Sequence, residues 1–491
     1  MERLNFNVLP LQDMAVRRVV SVLFKEPDIL ASVRDFPRKS LYPFDKNIEA
    51  WRKTVGNKMS GNILKIGLPA SLTKQLIDTS TQMGRQILGW KGFHEEYLSV
   101  RRRFREPILE RLCWTAAGVL DYRKTAEELI RSDVIGVVGR YQLASLYCLE
   151  DWIPLLWNEL PEEKKLYFYD EKRHLESRWL PLQFSWPYII KGELSKLYSL
   201  TRSYRRKLVS LHQFAFEESV EMPNKAAAEF FFQKLTQEEK EASLIPITKN
   251  LLAYRNCYQG VFPKEKVSEM LRYLLSVMTP DQQMRIFHEH AYTVLRSFVD
   301  WPCQDQFSEI ADLVWNFLPE SDYNSFLREM YERLRNSGYY FQMLFQEFFL
   351  RIPCDFRKRF MDRQCESGSY FARVLHLEDK EALETTFRCV DAATRAGILF
   401  SGFAFDYFRS SISRGRWDVV AVCLREARLS KEDRERLKEA FTGYLTLIGL
   451  GEKELKTRKW TRFFQFLDET DAPSKRCSED ETPTEAKMKK T

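Results

Sequence analysis

The sequence predicts an all-α protein, an irregular α-solenoid of antiparallel helix pairs followed by a disordered C-terminal tail. Glycine is scarce, with 19 among 491 residues, and aromatic residues make up 14% of the chain, so turn residues are few and packing volume is large. The pattern Trp-Asn-x-Leu-Pro-Glu, typical of a corner between two helices, occurs at 157–162 and again at 315–320. Both observations favour helices joined by short loops.

In each copy of this corner, a large apolar residue closes one helix and a proline precedes the next. Proline cannot continue a helix but is tolerated at its start, where acidic residues also interact well with the helix dipole. The corners therefore predict one two-helix module that is used at least twice. The predicted structural residues of the two corners are Trp157, Leu160, Pro161, Trp315, Leu318 and Pro319.

Three regions are predicted along the chain. Residues 1–67 contain an amphipathic N-terminal helix and then a segment, interrupted by Pro and Gly, that is expected to be irregular. Residues 68–467 form a helical-repeat array, in which 179–190 are expected to be irregular because Pro181 and Pro187 stand among aromatic residues. Residues 468–491 contain no aromatic residue and mix charges with Pro, Ser and Thr, so they are expected to be disordered.

Helix-start signals recur along the array at multiples of roughly 38 residues, within the range of helix-pair repeats. In the capping-box rule, a Ser or Thr side chain and a residue three positions later satisfy each other's backbone amides. A helical protein without repeats would also offer such signals often enough to mimic a period, so this alternative stays open. The pairs that follow or approach the rule are Thr236 with Glu239, Thr279 with Gln282, and Ser430 with Asp433.

The stretch 404–429 resembles one ankyrin repeat. Gly415 is followed by Arg-Trp-Asp-Val-Val, where ankyrin repeats carry Gly-His-x-Glu-Val-Val, and Cys423, Leu424 and Ala427 stand at the positions of the paired leucines and the alanine. The first-helix Thr-Pro-Leu-His motif is missing. The resemblance implies that Gly415 ends one helix in a left-handed conformation and that the region belongs to a binding scaffold.

The amino-acid composition limits which cellular compartment and which kinds of partner are expected. The chain has 76 basic and 69 acidic side chains, and the net charge of +7 is small for its length. The nine cysteines include no Cys-x-x-Cys pair, so they are expected to be reduced core residues of a cytoplasmic or nuclear protein. The N-terminus lacks a signal-peptide core, and no apolar run is long enough to predict a membrane span.

A search for catalytic chemistry leads to the prediction of a non-enzymatic protein with no catalytic, cofactor-binding or metal-binding residue. Among the six histidines, His288 and His290 lie close together, but two positions apart on a helix they point about 200° away from each other. No phosphate-binding loop and no Gly-x-Ser-x-Gly elbow is present. An enzyme with an unfamiliar site remains the alternative.

The function predicted from this architecture is a protein–protein interaction scaffold that has a protein partner and needs no cofactor. Aromatic runs such as 230–232 cover more than one helix face, which indicates a helix buried between two neighbours or, if some rings are exposed, a binding groove.

Binding of RNA is the first alternative function. It would use the clusters Arg101–Arg105 and Arg202–Lys207, although Glu95 and Glu96 would neutralise much of the first cluster, so a salt-bridged surface is favoured over a nucleic-acid site. The candidate phosphate-contacting residues are Arg101, Arg102, Arg105, Arg205 and Arg206.

The second alternative is a substrate adaptor of a ubiquitin ligase. Residues 9–23, LPLQDMAVRRVVSVL, are similar to the start of an F-box, and this resemblance implies a helix that docks on another subunit of the ligase. The simpler interpretation, which is favoured here, is that Leu9 and Pro10 start the first helix, as such pairs do at the other corners.

Overall fold

Helices, most of them joined by short turns, make up most of the described part of the chain. The computed structural model describes residues 9–36, 50–98, 106–171, 182–201, 209–255, 265–337, 342–361, 374–375 and 380–469. Across these ranges there is no β-strand, only an isolated bridge between Trp114 and Leu120. The all-α prediction is thereby confirmed for these ranges, whereas the solenoid arrangement and the antiparallel pairing stay predictions. None of the described helices combines the length and the apolar character that crossing a membrane requires.

The chain divides into two units, Met1–Tyr340 and Phe341–Thr491, so the division falls inside the predicted array. The helices described in the first unit are α1 (Leu11–Leu23), α2 (Pro27–Asp35), α3 (Asn57–Lys65), α4 (Ala70–Tyr97), α5 (Glu106–Leu109), α6 (Tyr122–Arg131), α7 (Val137–Leu146), α8 (Ile153–Glu159), α9 (Glu162–Phe168), α10 (Leu182–Ile190), α11 (Leu194–Thr201), α12 (Leu211–Glu221), α13 (Lys225–Gln233), α14 (Gln237–Tyr254), α15 (Glu265–Val277), α16 (Pro280–Ser297), α17 (Phe307–Val314) and α18 (Glu320–Ser337).

The second unit is built in the same way. Its described helices are α19 (Gln342–Arg351), α20 (Cys354–Met361), α21 (Lys380–Arg388), α22 (Ala392–Leu399), α23 (Gly402–Ser413), α24 (Trp417–Ala427), α25 (Lys431–Leu447), α26 (Glu452–Leu455) and α27 (Arg458–Glu469).

Both predicted corners join two helices, but they differ in detail. In each copy the leucine is buried in an extended conformation and the proline lies just before the next helix. Trp157 is buried, with its ring centroid 5.6 Å from that of Tyr141. Trp315 begins a short 3₁₀ turn and stacks on Tyr323, with ring centroids 5.2 Å apart. The shared anchor of the two corners is therefore the leucine, while each tryptophan has its own partner.

The predicted helix caps are present. Thr236 and Glu239 form a complete capping box, with the threonine Oγ1 accepting at 3.2 Å and the glutamate Oε2 accepting at 2.9 Å. Thr279 and Gln282 form the second box. Ser430 caps α25 by accepting a hydrogen bond from the backbone N–H of residue 433 at 3.0 Å. These caps depend only on residues a few positions apart, which is why the sequence predicts them well.

Gly415 has the left-handed conformation that the resemblance implied, with a φ of +75° between α23 and α24. Its N–H donates to the carbonyl of Ile412, and the N–H of Arg416 donates to the carbonyl of Ser411 at 2.8 Å. This pair of hydrogen bonds is the Schellman motif, which satisfies carbonyls at the end of a helix. The turn therefore has the predicted geometry, and membership of the ankyrin family stays a prediction.

Part of the N-terminal region expected to be irregular is helical. A π-helical turn, Arg52–Gly56, leads directly into α3. Met59 and Ile63 are buried on one face of α3, and this burial outweighs the helix-propensity cost of about 1 kcal/mol for Gly61. Trp51, just before the π turn, packs on α4 at Gly84, where an added Cβ would lie 2.8 Å from the indole ring.

A similar correction applies to residues 182–190, which form helix α10 although Pro187 lies inside it. Proline has no backbone N–H, so the carbonyl of Gln183, four positions earlier, loses its helical partner. The hydroxyl of Tyr141 donates to that carbonyl at 3.0 Å. A side chain from α7 thus supplies the hydrogen bond that Pro187 cannot make, and the helix continues.

Buried polar residues hold the connection between α16 and α17. Arg255 is fully buried and forms an ion pair with Asp300, which also accepts a hydrogen bond from Ser268 Oγ at 2.6 Å. From another side, Arg17 of α1 reaches Asp305 and places its guanidinium carbon 4.2 Å from the ring centroid of Trp301. The N-terminal helix is therefore part of the core of the first unit.

Candidate interaction groove

An apolar groove of about 220 Å³ opens among α10, α11, α12 and α13 in the first unit. An engineered cavity of roughly 150 Å³ with apolar walls takes up benzene, so this groove has room for an aromatic side chain. Aromatic and aliphatic side chains dominate its walls, and they come from helices far apart in sequence. The apolar lining residues are Trp186, Ile189, Leu194, Leu197, Leu211, Ala215, Phe230 and Phe231.

Hydrogen bonds to the end of α7 hold two walls of this groove. Trp186 of α10 donates from its indole Nε1 to the carbonyl of Ser145 at 3.1 Å. Asn224, which caps α13, is buried and donates from its side-chain amide to the carbonyl of Leu146 at 2.8 Å. Carbonyls at a helix end often lack helical partners, and the Asn224 amide supplies one to Leu146, whereas the Ser145 carbonyl also accepts a backbone hydrogen bond from Cys148 at 3.3 Å. The positions of α10 and α13 therefore follow from α7.

The rim of the groove carries charges that remain in contact with solvent. Lys234 and Glu150 form an ion pair at 3.2 Å, and their side chains are 42% and 56% exposed. The ammonium group of Lys234 also lies 4.9 Å from the ring centroid of Phe230. An exposed pair of this kind contributes only about 0–1 kcal/mol, so either charge can exchange its partner for a ligand group at little cost. His212 is a further lining residue of intermediate exposure.

The groove suits non-covalent binding. A hydrophobic centre surrounded by a polar rim is the anatomy of protein interfaces, in which a few buried aromatic anchors supply most of the affinity. Leu194 lines the groove although it is 42% exposed, so part of the apolar surface faces solvent in the free protein. Such surface is available to a partner side chain without opening the fold.

The structural residues predicted from the sequence do not line this groove. The corner leucines, Leu160 and Leu318, are buried where helices meet, and Gly415 belongs to the second unit. The candidate phosphate-contacting residues of both basic clusters lie outside the described part of the chain. These are Arg101, Arg102, Arg105, Arg205 and Arg206.

The neighbouring histidines of α16 have separate surroundings. The ring centroid of His288 lies 5.3 Å from that of Phe317, and partial burial lowers the pKa of His290, where the helix is kinked. Glu289, between them, accepts a hydrogen bond from Arg285 at 3.1 Å. Across the described ranges, no three His, Cys, Asp or Glu residues come together in a way that could hold a metal ion.

Buried polar residues of α4 form a separate cluster with a structural role. The Nδ1 of His94 lies 2.8 Å from the carbonyl of Trp90, which can only accept, so Nδ1 donates and Nε2 accepts from the hydroxyl of Tyr147 at 2.7 Å. Burial lowers the pKa of His94 to about 3, so the ring is neutral at neutral pH. Lys91 and Glu95 form a buried ion pair at 3.1 Å on the same helix.

No protein-family model matches the chain, and no curated protein is significantly similar in sequence.

The sequence contained one signal for the groove. The aromatic run at 230–232 pointed to either a doubly buried helix or a groove, and the structure shows Phe230 and Phe231 among the lining residues. The sequence did not indicate that Trp186 lines a groove, because the prolines around it predicted irregular structure. Which helices meet at the groove depends on tertiary packing, and periodicity along one helix does not encode that.

Proposed function

We propose that this chain is a non-enzymatic protein-interaction scaffold of the helical-repeat type, and that the groove of its first unit binds one aromatic side chain from a partner protein. The observation that carries this proposal is the apolar groove itself, which is large enough for a ring and is bordered by exchangeable charges. The ankyrin-like turn at Gly415 supports the same class of function, since helical-repeat proteins commonly serve as binding scaffolds.

The strength of such binding follows from the area that becomes buried. Burying one large apolar side chain contributes about 1.5–3 kcal/mol, which by itself gives weak binding after the entropy of association is subtracted. A partner segment therefore needs contacts beside its aromatic anchor. Lys234 and Glu150 are positioned at the rim to supply them through hydrogen bonds or ion pairs.

The test is selection of binders from a random peptide display library on the purified full chain. Peptides that share one aromatic position should be enriched, and synthetic copies should bind with affinities measurable by fluorescence anisotropy. The variant Leu194→Asp places a charge at the apolar edge and should weaken binding about tenfold or more. Leu194 is partly exposed, so this substitution leaves the core intact.

The matched control is Leu155→Asp. Leu155 of α8 is 58% exposed and is not a lining residue of the groove, so the same chemical change should leave peptide binding unchanged. Enriched peptides without a common aromatic position, or an equal loss of affinity in both variants, would overturn the proposal.

The adaptor function stays a second candidate, because α1 has an outward apolar face. Leu11, Val19 and Val22 are exposed on it, whereas Arg17 and Val20 are buried. Removing residues 9–23 would also remove the buried contacts of Arg17, so point variants give a cleaner test. If α1 docks on a ligase subunit, Leu11→Glu with Val22→Glu should abolish recovery of a ubiquitin ligase in affinity purification and leave the helix content unchanged.

A further inference from the structure

The second unit carries a group of exposed cations, one of which lies against an aromatic ring. Trp417, the first residue of α24, is half-buried, and its ring centroid lies 5.6 Å from that of Phe466 on α27. The guanidinium carbon of Arg462 lies 4.9 Å from the centroid of the indole. Arg458 is one helical turn before Arg462 on the same face of α27.

The charges on this surface are not neutralised within the described part of the chain. Arg414, Lys456, Arg458 and Arg462 are exposed, and none of them forms an ion pair with a described carboxylate. This differs from the surface elsewhere, where many exposed Arg and Lys residues are paired within one helical turn, as Arg131 is with Glu128.

The carboxylates nearest in sequence have other partners. Asp418 follows Trp417 directly, but it pairs with Lys380 at 2.5 Å, and this ion pair lowers the pKa of the carboxyl. Glu454 accepts a hydrogen bond from the backbone N–H of Gly451. Asp468, at the other end of α27, pairs with Lys438. The four cations therefore keep their charge available for an external anion.

The placement of these cations is unfavourable for the helix itself. Lys456, Arg458 and Lys459 surround the start of α27, and no acidic residue lies in its first turn. A positive charge at a helix N-terminus costs stability, because the dipole there is also positive. Features that break a local rule of stability are commonly retained for binding, and the ligand that would relieve this repulsion is an anion.

We propose that Trp417, Arg458 and Arg462, with the exposed cations Arg414 and Lys456 that lie just before α24 and α27 in the chain, bind single-stranded nucleic acid through its phosphodiester backbone. Arg and Lys at successive positions neutralise phosphates, while an aromatic ring and an adjacent guanidinium plane stack on bases. An acidic peptide would use the cations but would leave Trp417 without a role. This surface is independent of the groove in the first unit.

The experiment measures binding of fluorescein-labelled oligouridylate, about twenty nucleotides long, to the full chain by anisotropy. Four phosphate contacts, at about 0.7 each in the salt slope for single strands, predict that affinity falls roughly 50-fold between about 50 and 200 mM salt. Arg458→Gln with Arg462→Gln should halve the slope, so the same change of salt weakens binding only about sevenfold. Trp417→Leu should weaken binding about tenfold with an unchanged slope.

The matched control is Arg425→Gln with Lys431→Gln, which removes the same charge at the far end of α24. Both residues are exposed, and neither forms an ion pair with a described carboxylate, so this variant should keep the wild-type slope. The proposal is overturned if oligouridylate does not bind, if both double variants change the slope equally, or if neither changes it. Tighter binding of a polyglutamate peptide would overturn it in favour of an acidic protein partner.

Discussion

Arg17 and Asp305 form a two-point ion pair that ties the N-terminal helix to the connection between α16 and α17. Nη1 lies 2.9 Å from Oδ2 and Nη2 lies 2.8 Å from Oδ1, and Nη1 also donates to the carbonyl of Ala117 at 2.9 Å. The arginine is buried, and its guanidinium faces Trp301. Three segments of the first unit therefore meet at one side chain: α1, the stretch at Ala117, and the connection between α16 and α17.

Replacing Arg17 by alanine should strongly destabilise the first unit. Removing one member of a buried ion pair costs about 3–5 kcal/mol, and the lower end applies here because the side chain of Asp305 is 23% exposed. Urea unfolding should therefore show a loss of about 3 kcal/mol. Arg18→Ala, at the exposed neighbouring position, should stay within about 0.5 kcal/mol of the wild type, and a similar loss in both variants would refute the assignment.

Two glycine substitutions should act in opposite directions. Gly84→Ala places a Cβ 2.8 Å from the ring of Trp51, and such overpacking costs about 1–3 kcal/mol. A Cβ added at Gly61 has no other atom within 4 Å, and Gly61 lies inside α3. Gly61→Ala should therefore stabilise the protein by about 0.5–1 kcal/mol. Thermal unfolding of both variants checks this. Equal effects would show that the contact between Gly84 and Trp51 is unimportant.

His94 should make the fold sensitive to acid. Its pKa is about 3 in the folded state against an ordinary value of 6.5, so below pH 6.5 the unfolded chain takes up a proton that the folded chain does not. The free energy of unfolding should fall by up to about 1.4 kcal/mol per pH unit as pH decreases from 6.5 towards 3. Urea unfolding at several pH values measures the slope. In His94→Phe the slope should flatten between pH 6.5 and 5, and an unchanged slope would assign it to other groups.

The hydroxyl of Tyr141 and the missing N–H of Pro187 should be coupled through the carbonyl of Gln183. Tyr141→Phe leaves that carbonyl without its donor, which costs about 1–3 kcal/mol. Adding Pro187→Ala restores a backbone N–H four positions after Gln183, so the double variant should recover much of the loss. A double-mutant cycle by urea unfolding measures this coupling, and strictly additive effects would contradict it.

The sequence predicted correctly those features that depend on interactions between residues close together in the chain. The capping boxes at Thr236 and Thr279, the corners at Leu160 and Leu318, and the left-handed turn at Gly415 depend on residues a few positions apart, and all are present. Of these features, the corners, together with the scarcity of glycine and the many aromatic residues, led to the correct all-α prediction.

The errors have a long-range origin. The helix containing Pro187 continues because a tyrosine more than forty positions earlier satisfies its free carbonyl, and the segment before α4 is helical because its apolar side chains are buried against other helices. Predicting the groove would also require knowledge of long-range contacts, since its lining residues come from four separate helices. Local patterns do not encode such pairings.

The two hydrogen bonds at the end of α7 bear on how the groove can respond to a ligand. Trp186 and Asn224 donate hydrogen bonds to the consecutive carbonyls of Ser145 and Leu146. Both α10 and α13 are therefore held at the same end of α7. Adaptation to a larger side chain must therefore come from α11 or α12, or else break one of these bonds. Under the proposed binding function, selectivity for ligand size would thus be set by α7, a helix that supplies no apolar side chain to the groove.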